Sequence, residues 1–279
     1  MTYMAEISRS NPTCFLFLVD QSKSMLRPFA ANSDRTMAQG VADALNRLVH
    51  TLVSRCAKGD YILDRYSIGV VGYGAEVSLG FAGDLAGDVL RPVSEIGSHP
   101  LRIEERERLV EDGAGGLIKQ ATRFPVWFEP KGEGRTPMCQ ALQIAREVIG
   151  NFIAEHSACF PPIVINITDG MANDGHPHKP ARELCELASQ DGNVLLMNIH
   201  ISPNGTTPIL LPSTDQGLPD DFARLLFHMS SPLPGAMLEQ AYTLNTPIEN
   251  GARGFAFNAD LSSVIQLLEI GTRVSSNLR

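Results

Sequence analysis

The sequence holds little that would mark a nucleic-acid-binding, secreted or membrane-spanning protein. Lys and Arg number 23 against 31 Asp and Glu, a formal net charge of −8. The clustered positive charge that phosphate-backbone binding needs is therefore missing, and nucleic acid is not an expected partner. The five cysteines (Cys14, Cys56, Cys139, Cys159 and Cys185) are scattered and form no CxxC pair. Zinc-ligand spacing is absent, and an odd count in a long chain argues against a disulfide framework. They read as small buried hydrophobes with free thiols, which suits a reducing compartment. No run approaches the ~18 apolar residues of a membrane span. The opening MTYMAEISRSNPT lacks the basic start and apolar core of a signal peptide, so a cytoplasmic protein with no membrane partner is expected. Neither a GxxxxGK[ST] loop nor a GxSxG elbow is present, which disfavours NTPase and serine-hydrolase chemistry. No Ser/Gly-rich or charge-rich linker splits the 279 residues, and a 43% hydrophobic content supports one large core and a single domain.

What is present is an alternation of apolar runs and amphipathic stretches. Cys14 to Val19, Ile163 to Thr168 and Val194 to Ile201 are nearly continuous apolar runs of strand length, as expected for strands buried on both faces. Tyr66 to Tyr73 and Ala75 to Phe81 read as a hairpin or bulged pair around Gly74, with a short strand at Val89 to Val93 and another at Gly254 to Asn258. Helical spacing recurs over Thr36 to Ala57, Gln140 to Ala154, Pro180 to Ser189, Asp220 to His228 and Leu261 to Val274, the last with Asp260 placed as its cap. The fold class expected is α/β: a doubly wound, mostly parallel central sheet with helices on both faces. The segment of about 97–133 reads as an insertion. Within it the charged run Arg102 to Asp112 is expected to be a solvated surface helix or loop. The FPVWF run, Phe124 to Phe128, is expected to serve core packing or an insertion strand.

Ligands of doubly wound sheets bind beyond the carboxyl ends of the strands. The first strand ends in Asp20-Gln21-Ser22-Lys23-Ser24, where alternate side chains can converge on one point. One carboxylate and two hydroxyls form a hard oxygen set that suits Mg²⁺ or Mn²⁺ and not zinc. Taken alone, DxSxS is also a common polar turn that caps a helix. A second buried strand ends in Thr168-Asp169-Gly170, supplying another carboxylate. A third element, Gly132-Glu133-Gly134-Arg135-Thr136-Pro137, offers a hydroxyl from Thr136 ahead of a helix that Pro137 can open.

The three elements together resemble the metal-ion-dependent adhesion site of the von Willebrand factor A (VWA) family, in motif order and over a core of about 14–274. The resemblance implies one bound divalent ion, Mg²⁺ in the first place, with Mn²⁺ or Ca²⁺ as alternatives. Its ligands would be Asp20, Ser22, Ser24, Thr136 and Asp169: the serines directly, Thr136 directly or through water, the aspartates often through water. It further implies a protein partner that gives an Asp or Glu to the ion, with Lys23 and Arg135 beside it to contact that partner. Lys23 departs from the glycine frequent at its position in the family. The closing RGFAFNADLSSVIQLLEIGTR resembles the end of bacterial VWA proteins found beside kinases, phosphatases and tellurite-resistance components.

Other groups carry rival readings. His176 and His178 are a transition-metal site or a pair of exposed imidazoles, and the exposed loop is expected. Asp174 is expected to support Asp169 through hydrogen bonds. Cys139 is a helix-start thiolate or an inert packed thiol, the latter expected. Three functions remain in view: a binding module that is not an enzyme, a metal-assisted hydrolase (phosphatase or esterase), and a set of metal-free helix caps.

Overall fold

The computed structural model of the chain describes residues 3–28, 34–111, 116–201, 208–235, 237–239 and 248–258. The expected helix at Leu261 to Val274 and its cap Asp260 lie outside the described residues.

Strand β1, Thr13–Asp20, is buried along its whole length and forms the centre of the sheet. A 3₁₀ turn over Lys23–Leu26 follows, then helix α1, Met37–Cys56, opened by a capping box in which Thr36 and Gln39 satisfy each other's backbone N–H. Two short strands, β2 (Ala57–Lys58) and β3 (Tyr61–Ile62), lead to β4, Tyr66–Tyr73, which pairs in parallel with β1 from Thr13↔Tyr66 to Asp20↔Tyr73. Strands β5 (Val77–Leu79) and β6 (Leu90–Pro92) both pair antiparallel with β4, and helix α2, Val93–Ser98, follows. The hairpin expected around Gly74 is thus present as β4–β5.

After a further hairpin, β7 (Arg102–Glu111) with β8 (Leu117–Val126), the alternation resumes: α3 (Met138–Glu155), β9 (Ile163–Thr168), α4 (His178–Cys185), β10 (Leu195–His200), β11 (Ile209–Leu210), α5 (Asp221–Met229) and β12 (Phe255–Phe257). The main sheet runs β11-β12-β10-β9-β1-β4-β5, with β6 also on β4. Its central pairs, β12–β10, β10–β9, β9–β1 and β1–β4, are all parallel. This is the doubly wound α/β class expected.

Period-two burial on both faces explains why these strands read as unbroken apolar runs. Along β1, Phe15, Phe17 and Val19 enter one core with α1 and α2, while Cys14, Leu16 and Leu18 enter a second core with α3, α4 and α5. Helices therefore cover both faces. Among the described residues, no helix is long and apolar enough to cross a membrane.

One expectation is overturned. Arg102 to Asp112 is not a surface helix or loop: Arg102–Glu111 is a strand that pairs residue for residue with Leu117–Val126 in a separate two-stranded sheet. Mixed charges at helix-like spacing misled because here they are neutralised across strands and against α1. Arg106 bonds Glu104 and Asp43, its guanidinium lying 3.7 Å from the centroid of the Phe124 ring, and Lys119 pairs with Glu107. The Gly-rich Asp112–Gly116 connection was the usable signal for a hairpin. The base of the hairpin is core, as expected for FPVWF: Val126, Trp127 and Phe128 are buried, and Trp127 Nε1 donates to the Ile96 carbonyl.

Asn46 of α1 binds this base to the domain. Its buried amide oxygen accepts from the N–H groups of Trp127 and Phe128, and its Nδ2 donates to the Phe128 carbonyl. Asn46→Ala leaves three buried backbone groups unpaired and should cost about 3 kcal/mol of unfolding free energy in a urea titration. A loss below about 0.5 kcal/mol would show that this joint contributes nothing.

Candidate metal centre

Chain order reverses beside β1: α1 carries the chain to β4 on one side, and α3 brings it back to β9 on the other. The crevice beyond the carboxyl ends of β1 and β9 is the switch point of the sheet, where such folds bind ligands. Three loops meet there: Asp20 to Leu26 after β1, Lys131 to Pro137 before α3, and Asp169 to Asp174 after β9.

Each pair of loops is joined by hydrogen bonds. Between the first and third, Ser24 Oγ donates to Asp169 Oδ1 at 2.7 Å and Thr168 Oγ1 donates to Asp20 Oδ2 at 2.7 Å. Between the first and second, Lys23 N–H donates to the Gly134 carbonyl and Glu133 N–H to the Gln21 carbonyl. Between the second and third, Asn173 N–H donates to the Thr136 carbonyl, and the Asp174 carboxylate accepts from Cys139 and Gln140 N–H at the start of α3. Within the first loop, Ser22 Oγ lies 2.9 Å from Ser24 Oγ, and Ser22 N–H donates to Asp20 Oδ1.

Two glycines permit this closeness. A methyl group at Gly74 would sit 2.6 Å from the carbonyl oxygens of both Gln21 and Glu133. Gly134 has φ +74°, and a methyl there would meet the Ala75 backbone at 2.3 Å. Only a residue without Cβ fits either place.

Asp20, Ser22 and Thr136 are buried, while Lys23 and Arg135 point outward as exposed side chains. The hydroxyls of Ser22 and Ser24 and the carboxylates of Asp20 and Asp169 form one hydrogen-bonded cluster, and Thr136 is placed at its edge by its loop's backbone bonds. Sequence reasoning missed Thr168 as the residue that orients Asp20; a polar residue ending an apolar strand was its signal. It also missed Arg27, whose charge acts on Asp169.

Asp174 does not support Asp169 as expected; it caps α3, whose N-terminal N–H groups attract a carboxylate. His176 and His178 are exposed, as expected. Cys139 is the packed, inert thiol: burial first, and then Asp174, push it up to about 12. Cys185 is half-buried and the other four cysteines are buried.

Burial, and secondarily the charge of Asp169, push the Asp20 carboxyl from 3.8 up to about 6, against the opposing hydrogen bonds of Ser22 and Thr168. Asp169 is also raised, by burial. A buried carboxylate, Asp20, and a half-buried one, Asp169, with serine hydroxyls between them, have the chemistry to favour a hard cation, which would offset both costs. The oxygen-only composition fits Mg²⁺ or Mn²⁺.

No family model and no curated protein matches the chain. Solved structures similar to it include proximal thread matrix protein 1 from the mussel byssus (17% identity, TM-score 0.47, 97% of this chain and 48% of that one). Others are the manganese-loaded TRAP protein of Plasmodium vivax (15%, 0.43, 93% and 72%) and the vWF domain of the type V pili tip protein Mfa5 of Porphyromonas gingivalis (15%, 0.32, 58% and 39%). The chain spans about half the length of the byssus protein. With identities this low, the reading of the site rests on its own geometry. The doubly wound sheet with these loops at its switch point is the α/β architecture that the sequence implied.

Because the folded-state pKa of Asp20 lies above its unfolded value, its protonated form favours the fold. Its contribution is fully present below pH ~4 and is lost as pH rises through about 6. In metal-free protein, wild type should therefore lose on the order of 3 kcal/mol relative to Asp20→Asn between pH 4 and 7.5. Urea titrations at each pH check this. A constant difference across that range contradicts it.

Proposed function

We propose that the three-loop rim holds one divalent cation, Mg²⁺ with Mn²⁺ as the closest substitute, and that the chain is a VWA-type interaction module. Ser22, Ser24 and Thr136 would be direct ligands, with Asp20 and Asp169 set behind them. A cation held mainly by neutral hydroxyls keeps its affinity for anionic oxygen, so an Asp or Glu of a protein partner completes its coordination. The chain's own residues do the positioning. Thr168 and the Ser22 N–H fix the Asp20 carboxylate, and Ser24 fixes that of Asp169.

The observation that carries this reading is the Ser22–Ser24–Asp169 hydrogen-bonded run, in which oxygens from two loops 145 residues apart stand within 3 Å of one another. The same observation weighs against either serine acting as a nucleophile. The serine hydroxyls bond to each other and that of Ser24 donates to Asp169, and among the described residues neither is bonded to a histidine that would activate it. We assign it no enzymatic activity. On the resemblance of its last segment we place it in a bacterial cytoplasmic system with a kinase, phosphatase or tellurite-resistance component.

Asp20→Ala and Asp169→Ala should abolish Mg²⁺ binding in calorimetric titration and Mn²⁺ binding by electron paramagnetic resonance, with far-UV circular dichroism unchanged. Thr168→Val, which releases Asp20 and the turn at Gly170 while leaving every proposed ligand in place, should weaken binding about 10–100-fold. Retained Mn²⁺ affinity in both aspartate variants refutes the site. Turnover of phosphate or carboxylate esters that needs Mg²⁺ and is lost in Asp169→Ala would make the protein a hydrolase instead.

A further inference from the structure

The surface around the three loops differs from the rest of the chain in two ways. Among the described residues, few large hydrophobic side chains are exposed. Two of them, Leu26 at 50% and Met171 at 66%, each stand two residues from a partner in the Ser24–Asp169 bond. That bond joins their loops, so both apolar residues stand on the loops that meet at the candidate site. Leu26 also packs over the second loop: a methyl at Gly132 would meet its side chain at 2.5 Å. Leu26 is not forced outward by a lack of core, since Met25 beside it is fully buried.

The second difference is charge. The chain carries a net charge of −8, yet Lys23, Arg27 and Arg135 project as exposed cations from these loops. Lys131 of the second loop shares its crevice with the acids Glu133 and Glu76, and Asp174 is committed to the α3 N-terminus, which leaves Lys23, Arg27 and Arg135 as the cations of the rim. An acidic protein thus presents a cationic collar with two apolar side chains at the rim of its candidate metal centre. Exposed apolar side chains grouped at a polar site mark an interaction surface, and opposite charge steers a partner to it.

We propose that this rim selects an acidic protein segment in which the coordinating Asp or Glu has a large apolar residue within about two positions. The apolar side chain packs against Leu26 and Met171, and further acids face Lys23, Arg27 and Arg135. This rests on the metal-dependent reading above and adds to it the sequence chemistry of the partner. Charge complementarity decides the occupant: a basic or uncharged apolar segment would leave the collar unanswered, and a second copy of this chain would bring the same collar.

The test is a random linear peptide library displayed on phage, panned against the immobilised full chain in Mg²⁺ and eluted with EDTA. The expected EDTA-eluted pool is net acidic, with Leu, Ile, Phe or Met near a shared Asp or Glu. Synthetic peptides from it should bind a Leu26→Ser/Met171→Ser double variant at least about ten-fold more weakly, while that variant keeps wild-type Mn²⁺ affinity. Lys23→Ser/Arg135→Ser should slow association and lessen its salt dependence. Selected carboxylate sequences without apolar neighbours, or unchanged affinity in the Leu26/Met171 variant, overturn the rim proposal and leave the metal reading standing. Enrichment that EDTA does not release, or sequences without carboxylates, overturns both. A pool with no enrichment also counts against the rim.

Discussion

The arrangement depends on one constraint: the carboxylates of Asp20, buried, and Asp169, half-buried, are brought from distant parts of the chain to one rim at the end of a parallel sheet. Burial and mutual repulsion raise the proton affinity of Asp20 to about 6, and the surrounding fold is built to hold that charge in place. Parallel pairing of β1 with β9 sets their ends level, from Phe15↔Ile163 to Val19↔Ile167. Thr168, the next residue on β9, then turns its hydroxyl onto Asp20. The neighbouring strand contributes through Tyr73, whose hydroxyl donates to Asn166 at 2.6 Å and whose own ionisation is strongly opposed by burial. Asn166 continues to Asn198, and Asn198 to Ser230. A satisfied polar line therefore crosses the otherwise apolar α3–α5 core behind the site, which fixes strand positions without leaving orphaned groups.

Much of this was legible in the sequence, for identifiable reasons. Strands buried on both faces leave unbroken apolar runs, so β1, β4, β9 and β10 were readable almost to their ends. Helices whose stripe faces a sheet keep the 3.6 period, so α1, α3 and α5 were readable too. The site elements stood where these runs stopped, as DxSxS, TDG and a Gly-rich loop ending in Thr136-Pro137. The charged hairpin was not legible as strand. Its stabilisation comes from cross-strand pairs, from Arg106 reaching Asp43 in α1 and from the Phe124 ring, and none of these is local in sequence. Asp174 was placed in the right loop with the wrong duty, because a carboxylate near both Asp169 and a helix start satisfies either equally until coordinates decide. Thr168 was overlooked for the opposite reason: at a strand end its hydroxyl looks incidental, and only the register of β9 on β1 gives it a role.

The outward side follows from the inward one. Loops held together by backbone bonds, and by glycines at positions 74 and 134 where no Cβ fits, have little freedom to rearrange. The side chains they turn to solvent therefore leave from fixed backbone positions. Their surface is cationic and partly apolar on a protein whose charge is otherwise acidic. Its character is the reverse of the oxygen cluster beneath it, and under the proposed reading the two together set what a partner would offer: an anionic oxygen for the interior and apolar bulk for the rim.

The central claim is that the hydroxyls now bonded to each other and to Asp169 serve a cation. Crystals grown with Mn²⁺ and measured at a wavelength where manganese scatters anomalously test this directly. The account predicts a single anomalous peak at the switch point, in direct bonding contact with Ser22 Oγ and Ser24 Oγ and near Thr136. A peak elsewhere, or none at saturating Mn²⁺ with the Ser22–Ser24–Asp169 bonds intact, contradicts it.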